Sequence, residues 1–408
     1  MRLLLALAAA GVFALALRPA EPVWTVVIGG DNEGHLAPCG CTSPQTGGIR
    51  RRASATLAQG DPKHRIVLDT GDFTTDTGPQ DRYKAEMLAE AAGTMGAILA
   101  LTPSEARFGL AELAAMKALS KDGFVSGSAQ GIEGVPQSVE RGPFAITSLA
   151  PDPLNVVLPL SGSPVETDAA AKALIATGKV PVVMLSDDED AARDLAKKVP
   201  GLSLIVHRRG GTPASTLGTE NGATLVSPGE RGKFVVTLDW RGGRWENYRV
   251  IDLGPEIVDD SLVKRMYAAY LQRVDDANLL DRLPRAPSDP FAGNEACLKC
   301  HAEAAKVWEG SKHAHAYNTL EHEGHSRDPD CVKCHVVGLE AEGGFRSRAQ
   351  TPQFAFVGCE SCHGPGAAHA INPKILLPRL SPETCLSCHT RDQSPNFDFN
   401  AYWAKIKH

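Results

Sequence analysis

Methionine is scarce in this chain of 408 residues and stops at Met266, so the final third has no thioether to offer a metal. Aromatic residues are only 6% of the composition, and neither sign of charge dominates: 42 Lys and Arg face 48 Asp and Glu, for a net charge of -6 and a pI near 6.1. Nucleic acid is bound through a basic face, and this balance gives no reason to expect one. The N-terminal stretch MRLLLALAAAGVFALALRPA has one Arg, an apolar run of about fifteen residues, then Arg18 and Pro19. Spanning a bilayer takes about twenty apolar residues, so residues 1–20 read as an export signal, with a short uncleaved anchor and membrane association as the alternative. No cysteine lies beside the run, which argues against lipid attachment.

What is present divides in two. From Val23 to about Leu253, β-rich runs (VWTVVIGG, RIVLDTGD, PVVMLSD, LSLIVH, GKFVVTLDW, NYRVIDL) alternate with helical patterns (YKAEMLAEAAGTMGAILAL, SEARFGLAELAAMKAL, DEDAARDLAKKV). That order predicts an α/β layered domain over residues 21–255. A helix in SLVKRMYAAYLQRVDDANLL and a Pro- and Asp-rich linker, DRLPRAPSDPFAGNE, fill 256–292. Residues 293–408 hold ten of the thirteen histidines and eight of the ten cysteines, with weak apolar periodicity. A segment so poor in aliphatics is poorly cored by side chains alone.

The eight cysteines stand in four identical frames: Cys297 and Cys300, Cys331 and Cys334, Cys359 and Cys362, Cys385 and Cys388. Directly after each pair comes a histidine: His301, His335, His363 and His389. A disulfide framework gives no reason for those histidines. Zinc knuckles usually stand about 15–20 residues apart, closer than these pairs, and leave the histidines unexplained too. Cys-x-x-Cys-His is the attachment motif of c-type haem: both thiols form thioethers to one porphyrin, and the imidazole becomes the proximal iron ligand. Four c-type haems are therefore expected. With no methionine available, the sixth iron position is bis-His or open. Six histidines remain as distal candidates: His313, His315, His322, His325, His369 and His408. His313 and His315 are two apart and point differently on a helix, so one of them ligates. The Gly-Pro-Gly before His369 breaks the chain and frees it to face a neighbouring haem.

The segments CLKCHAEAAKVWEGSKHAHAYNTL, CVKCHVVGLEAEGGF, CESCHGPGAAH and YWAKIKH resemble multihaem cytochromes of the cytochrome c-554 type, over about 293–408. The resemblance implies a mostly helical, loop-rich tetrahaem domain with His313 and His369 as distal ligands and His408 as the closing histidine. It gives His315, His322 and His325 no place. It also implies closely stacked haems, redox partners such as quinol-linked or other cytochromes, and in some members a five-coordinate haem.

The N-terminal part resembles calcineurin-like metallophosphoesterases of the 5'-nucleotidase type through VVIGGDNEGHLAP, GGIRRRA, RIVLDTGDF, PVVMLSDDED and LSLIVHRRG. Asp31 and Asp72 match that family's first two metal frames. The chain departs elsewhere: His35 is four residues after Asp31 instead of two, TPSEARFG replaces Asn-His-Glu, Asp187 replaces a histidine, and His207 is followed by Arg209. A two-metal hydrolase needs both ions clamped about 3.5–4 Å apart, so the domain reads as a non-hydrolytic scaffold, with a retained divalent metal and nucleotide hydrolysis as the alternative. Cys39 and Cys41, in CGC, are either a strained local disulfide, a redox thiol pair or soft-metal ligands. Arg50, Arg51 and Arg52 read as an exposed helix start, or as an anion-facing one. The combined expectation is an exported, periplasmic electron-transfer protein. The alternative is a haem enzyme acting on a small nitrogen or sulfur compound at a five-coordinate iron.

Overall fold

The computed structural model describes residues 22–38, 45–129, 131–151, 154, 158, 166–208, 210–391 and 393–408. The export signal at 1–20 and the Cys39/Cys41 pair lie outside the described residues.

Short β-branched runs make the first sheet: β1 (Trp24–Gly29), β2 (Arg65–Asp69), β3 (Ala97–Ala100) and β4 (Phe124–Val125) are parallel neighbours. Between them run the helices α1 (Ile49–Leu57), α2 (Pro79–Met95), α3 (Pro103–Ala106) and α4 (Leu110–Leu119). The second sheet is built from β5 (Val139–Arg141), β6 (Phe144–Leu149), β7 (Val180–Leu185), β8 (Leu204–His207), β9 (Gly218–Glu220) and β10 (Ala223–Val226), with α5 (Thr167–Ile175) and α6 (Glu189–Lys198) between strands. The hairpin β11 (Phe234–Arg241) and β12 (Arg244–Asp252) returns to the first sheet, whose order is β12-β11-β1-β2-β3-β4, while the second runs β5-β6-β7-β8-β10-β9. Val26, Ile28, Leu68, Phe144, Val182, Val206 and Val236 meet in one buried cluster between the sheets. A second cluster packs α1, α2, α4 and the later helix α7 (Ser261–Asp276) on the first sheet, and a third packs α5 and α6 on the second. The domain is thus layered helix, sheet, sheet, helix, the burial solution two half-apolar sheets demand.

Three sequence expectations change. YKAEMLAEAAGTMGAILAL is not one helix: Gly96, at φ 67°, caps α2 in the left-handed region, and the next four residues are the buried strand β3. SEARFGLAELAAMKAL splits into α3 and α4 at Gly109, φ 89°. Arg52 is not exposed: it is buried at 1% and ion-paired with Asp69, while Arg51 donates to the carbonyl of Leu253 and Arg50 pairs with Asp259 at 3.2 Å.

The junction falls inside α8 (Leu279–Arg282): Leu279 packs into the N-terminal core and Leu280 into a separate C-terminal cluster. The proposed linker is bonded onto the C-terminal part, since Ala286 exchanges 2.8 Å bonds with Glu340 and Glu342. Beyond it come α9 (Asn294–Leu298), α10 (Ala302–Glu309), α11 (Ala316–Glu323), α12 (Pro329–Val332), α13 (Cys359–His363), α14 (Ala367–Ile371), α15 (Pro382–Leu386) and α16 (Phe399–Ile406). Most are short, and α10, α14, α15 and α16 bury no residue.

Candidate functional site

Each cysteine frame rides on a short helical turn. α13 is the third frame itself, and the first cysteines of the others lie in α9, α12 and α15. Pro329 and Pro382 start their helices, and Asp328 caps α12 by accepting from the Asp330 amide. The turn then closes through the histidine amide, bonded to the Cys297 carbonyl at 3.0 Å in the first frame and to that of Cys385 at 2.8 Å in the fourth. Among the described residues no disulfide joins these eight cysteines. Burial pushes the Cys359 thiol up to about 12, with neighbouring Cys297 adding to the rise, and burial takes Cys362 to about 11, with Cys385 and Cys388 nearby. Cys388 is pulled down to about 6 by its hydrogen bond with Cys334. The frames therefore neighbour one another in the order first, third, fourth, second.

The imidazoles test whether haem fits. His301 faces His369 at 6.2 Å between ring centroids, His363 faces His408 at 6.0 Å, and His313 faces His389 at 6.1 Å. A metal–imidazole bond is about 2 Å, so two such bonds back to back, plus the distance from each nitrogen to its ring centre, span about 6 Å. Three independent pairs meet that span. Ligating histidines usually have the other ring nitrogen engaged. Here His369 Nδ1 is 2.7 Å from the Ile375 carbonyl, His389 Nδ1 is 2.9 Å from Ser394 Oγ, and His408 Nδ1 is 3.0 Å from the Ile406 carbonyl. The residues present fit haem.

His335 differs. Its Nδ1 is 2.7 Å from the Ala316 carbonyl, which turns Nε2 the other way, yet among the described residues no ring is paired with it. Burial, slightly opposed by that bond, lowers its pKa. His315 is exposed and His322 is exposed beside Glu323, and among the described residues neither ring lies against a frame histidine. His325 lies against Tyr267 and 3.8 Å from Asp328. With Asp328 and Cys331 it gathers three ligand-type atoms within 4.8 Å, but that sulfur belongs to the second frame.

Glu360, inside the third frame, escaped notice in the sequence. Its buried carboxylate accepts from the amides of Ala292, Gly293 and Gly366 at 2.7–2.8 Å, while Asn294 Oδ1 accepts from the Cys359 amide at 3.0 Å. First frame, third frame and the Gly-Pro-Gly loop are thereby pinned together. The only sequence signal was an acidic residue between two haem cysteines.

In the N-terminal domain, Asp31, Asp72, Glu105, Asp187 and Arg208 all follow the carboxyl ends of parallel strands, where open α/β sheets place their sites. Arg208, Asp31, Glu33, Ser186, Asp187 and Gly210 are among the residues lining a cleft of about 420 Å³. Asp31 and Asp72 both sit at φ 52°, a strained conformation for non-glycine residues. Burial pushes Asp31 up to about 7 against the pull of Arg208, and burial with the nearby Asp72 charge takes Glu105 to about 7. The donors do not fit a metal pair. Asp31 and Asp72 are bound to Arg208, Glu105 accepts from Thr102 and the Phe73 amide, and His35 Nδ1 is 3.2 Å from the Asn32 carbonyl.

Comparison with known proteins agrees with both halves. The model described as "Cytochrome c554 and c-prime" matches residues 296–364, and the doubled CXXCH motif matches 354–394. Cytochrome c-554 of Nitrosomonas europaea is 35% identical over 96 residues, which is 20% of this chain and 41% of that protein. The chain thus spans less than half of that curated relative. Among solved structures, the 5'-nucleotidase precursor of Thermus thermophilus superposes with a TM-score of 0.53 at 18% identity, covering 74% of this chain and 68% of its own. The NAD nucleotidase of Haemophilus influenzae gives 0.53 at 13% identity, covering 67% and 64%. At these identities the likeness defines the fold. The chain thus joins a C-terminal segment similar to multihaem c-type cytochromes to an N-terminal domain with the fold of those 5'-nucleotidase structures. In particular, its C-terminal part carries the cytochrome c554 and doubled CXXCH motifs, which support c-type haem binding.

Proposed function

We propose that this protein is an exported tetrahaem electron carrier with three bis-His centres and one open centre, on His335. The pairs are His301 with His369, His363 with His408, and His389 with His313, and the eight frame cysteines would form the thioethers. Bound there, haem supplies one-electron transfer, at low potential where both axial ligands are histidine. The chain holds one imidazole of each pair, and that of His335, by its second nitrogen, and through Glu360 and Asn294 it keeps the first and third frames in contact. Redox partner proteins, such as other cytochromes or quinol-linked ones, would deliver and remove the electrons. The N-terminal domain is proposed to be non-hydrolytic.

The observation that carries this reading is the recurrence of one 6 Å imidazole spacing at the first, third and fourth frames and, among the described residues, its lack at the second. The same lack favours a second reading, in which a small nitrogen or sulfur compound binds opposite His335. A pyridine haemochrome assay is expected to count four haems, and EPR of the oxidised protein to show low-spin iron with one high-spin centre. Wholly low-spin iron removes the open centre and the second reading with it, while fewer than four haems removes the first.

A further inference from the structure

The 5'-nucleotidase resemblance places divalent metal where Asp31 and Asp72 stand, yet one guanidinium lies there. Arg208 leaves the end of β8, its amide anchored 2.7 Å from the Asp187 carbonyl. Its Nη1 is 2.6 Å from Asp72 Oδ2 and its Nη2 3.2 Å from Asp31 Oδ1. Both carboxylates belong to buried residues, at 3% and 8% exposure. The loops carrying them are laced together: the Asp31 amide donates to the Gly71 carbonyl at 2.9 Å, and the Glu33 amide to that of Asp72 at 3.0 Å. The two acidic groups are thus fixed side by side by backbone bonds, independently of what lies between them. Glu33, the next acidic group, is answered by Arg231 at 3.2 Å.

A guanidinium is charged at every working pH, and its fork of donors can serve two carboxylates at once. While it is there, its side chain 38% exposed at the cleft, a divalent ion approaching either carboxylate meets a fixed positive charge already bonded to both. Its departure would leave two buried acidic groups facing each other unpaired, an arrangement that demands a cation.

We propose that Arg208 is a tethered replacement for the divalent cations of this fold: it closes the cleft to metal, and a latent divalent site of Asp31 and Asp72 lies beneath it. This inference is independent of the haem assignments. The haem-loaded full chain is titrated with Mn2+, the unbound ion being read by EPR. The wild type is expected to take up no Mn2+ at concentrations where R208A and R208H each bind one equivalent, at least about tenfold more tightly. Should either variant be unfolded without metal, refolding in Mn2+ is the expected result. One equivalent bound by the wild type and lost in D72N overturns the proposal. So do folded variants that bind no more than the wild type, and so does failure of both variants to recover in Mn2+.

Discussion

Glu360 shows how much a single side chain carries here. Its carboxylate answers three backbone amides from three segments, so Glu360→Ala strands buried donors at about 1–3 kcal/mol each. We expect that variant to mature poorly at the first and third frames, read as a haem count below wild type, with Glu360→Gln intermediate. The cleft carboxylates set a pH dependence. Asp31 is raised from 3.8 to about 7 and Glu105 from 4.5 to about 7, chiefly by burial. Between about pH 4 and pH 7 the folded chain therefore holds protons that the unfolded chain releases, and stability falls as pH rises through that window. Thermal midpoints at about pH 5 and about pH 8 should show the loss, and Glu105→Gln should reduce it. The frame cysteines and their histidines were legible from sequence because five adjacent residues fix that chemistry locally. The resemblance named His313, His369 and His408 as distal ligands, but which frame each faces was not legible, since His313 reaches His389 and His301 reaches His369 through tertiary placement alone. Nor did the sequence show that Arg208 turns in between the two aspartates.

At the scale of elements, the contact between α12 and the N-terminal domain is a set of charges with unequal burial. Lys84 of α2 is ion-paired with Asp330, and Gln80 donates to Asp328 at 2.8 Å. Lys84's side chain is 10% exposed and that of Asp330 48%. Removing the carboxylate leaves a buried ammonium with Asp81 at 3.8 Å, whereas removing the ammonium leaves a carboxylate that water can reach. Asp330→Ala should therefore cost about 2–3 kcal/mol and Lys84→Met about 1 kcal/mol, an asymmetry that thermal melts of both variants would check. Strands such as β3 and β10 were not legible, because a run of four mostly apolar residues reads equally well as buried helix or strand. Longer amphipathic stretches fared better: α6 and α7 stand where their spacing put them.

Across the whole molecule, among the described residues, the N-terminal half has three apolar clusters of its own, while the C-terminal half has one, gathered around the second frame by Val332, Val336, Phe345 and their neighbours. Chain produced without haem attachment should therefore keep a folded N-terminal domain and lose the rest. Limited proteolysis is expected to cut beyond about residue 283 and leave a resistant N-terminal fragment, whereas the matured protein resists. The ties between halves converge on that second frame: Lys84, Gln80 and Tyr267 on one side, Asp330, Asp328 and His325 on the other, with Arg327 reaching Asp275 at 2.7 Å. The hydrolase-shaped half is thus a splint for the second frame, whose histidine faces no other ring among the described residues. Amide-hydrogen exchange along α2 is where a ligand arriving opposite His335 would register at a distance.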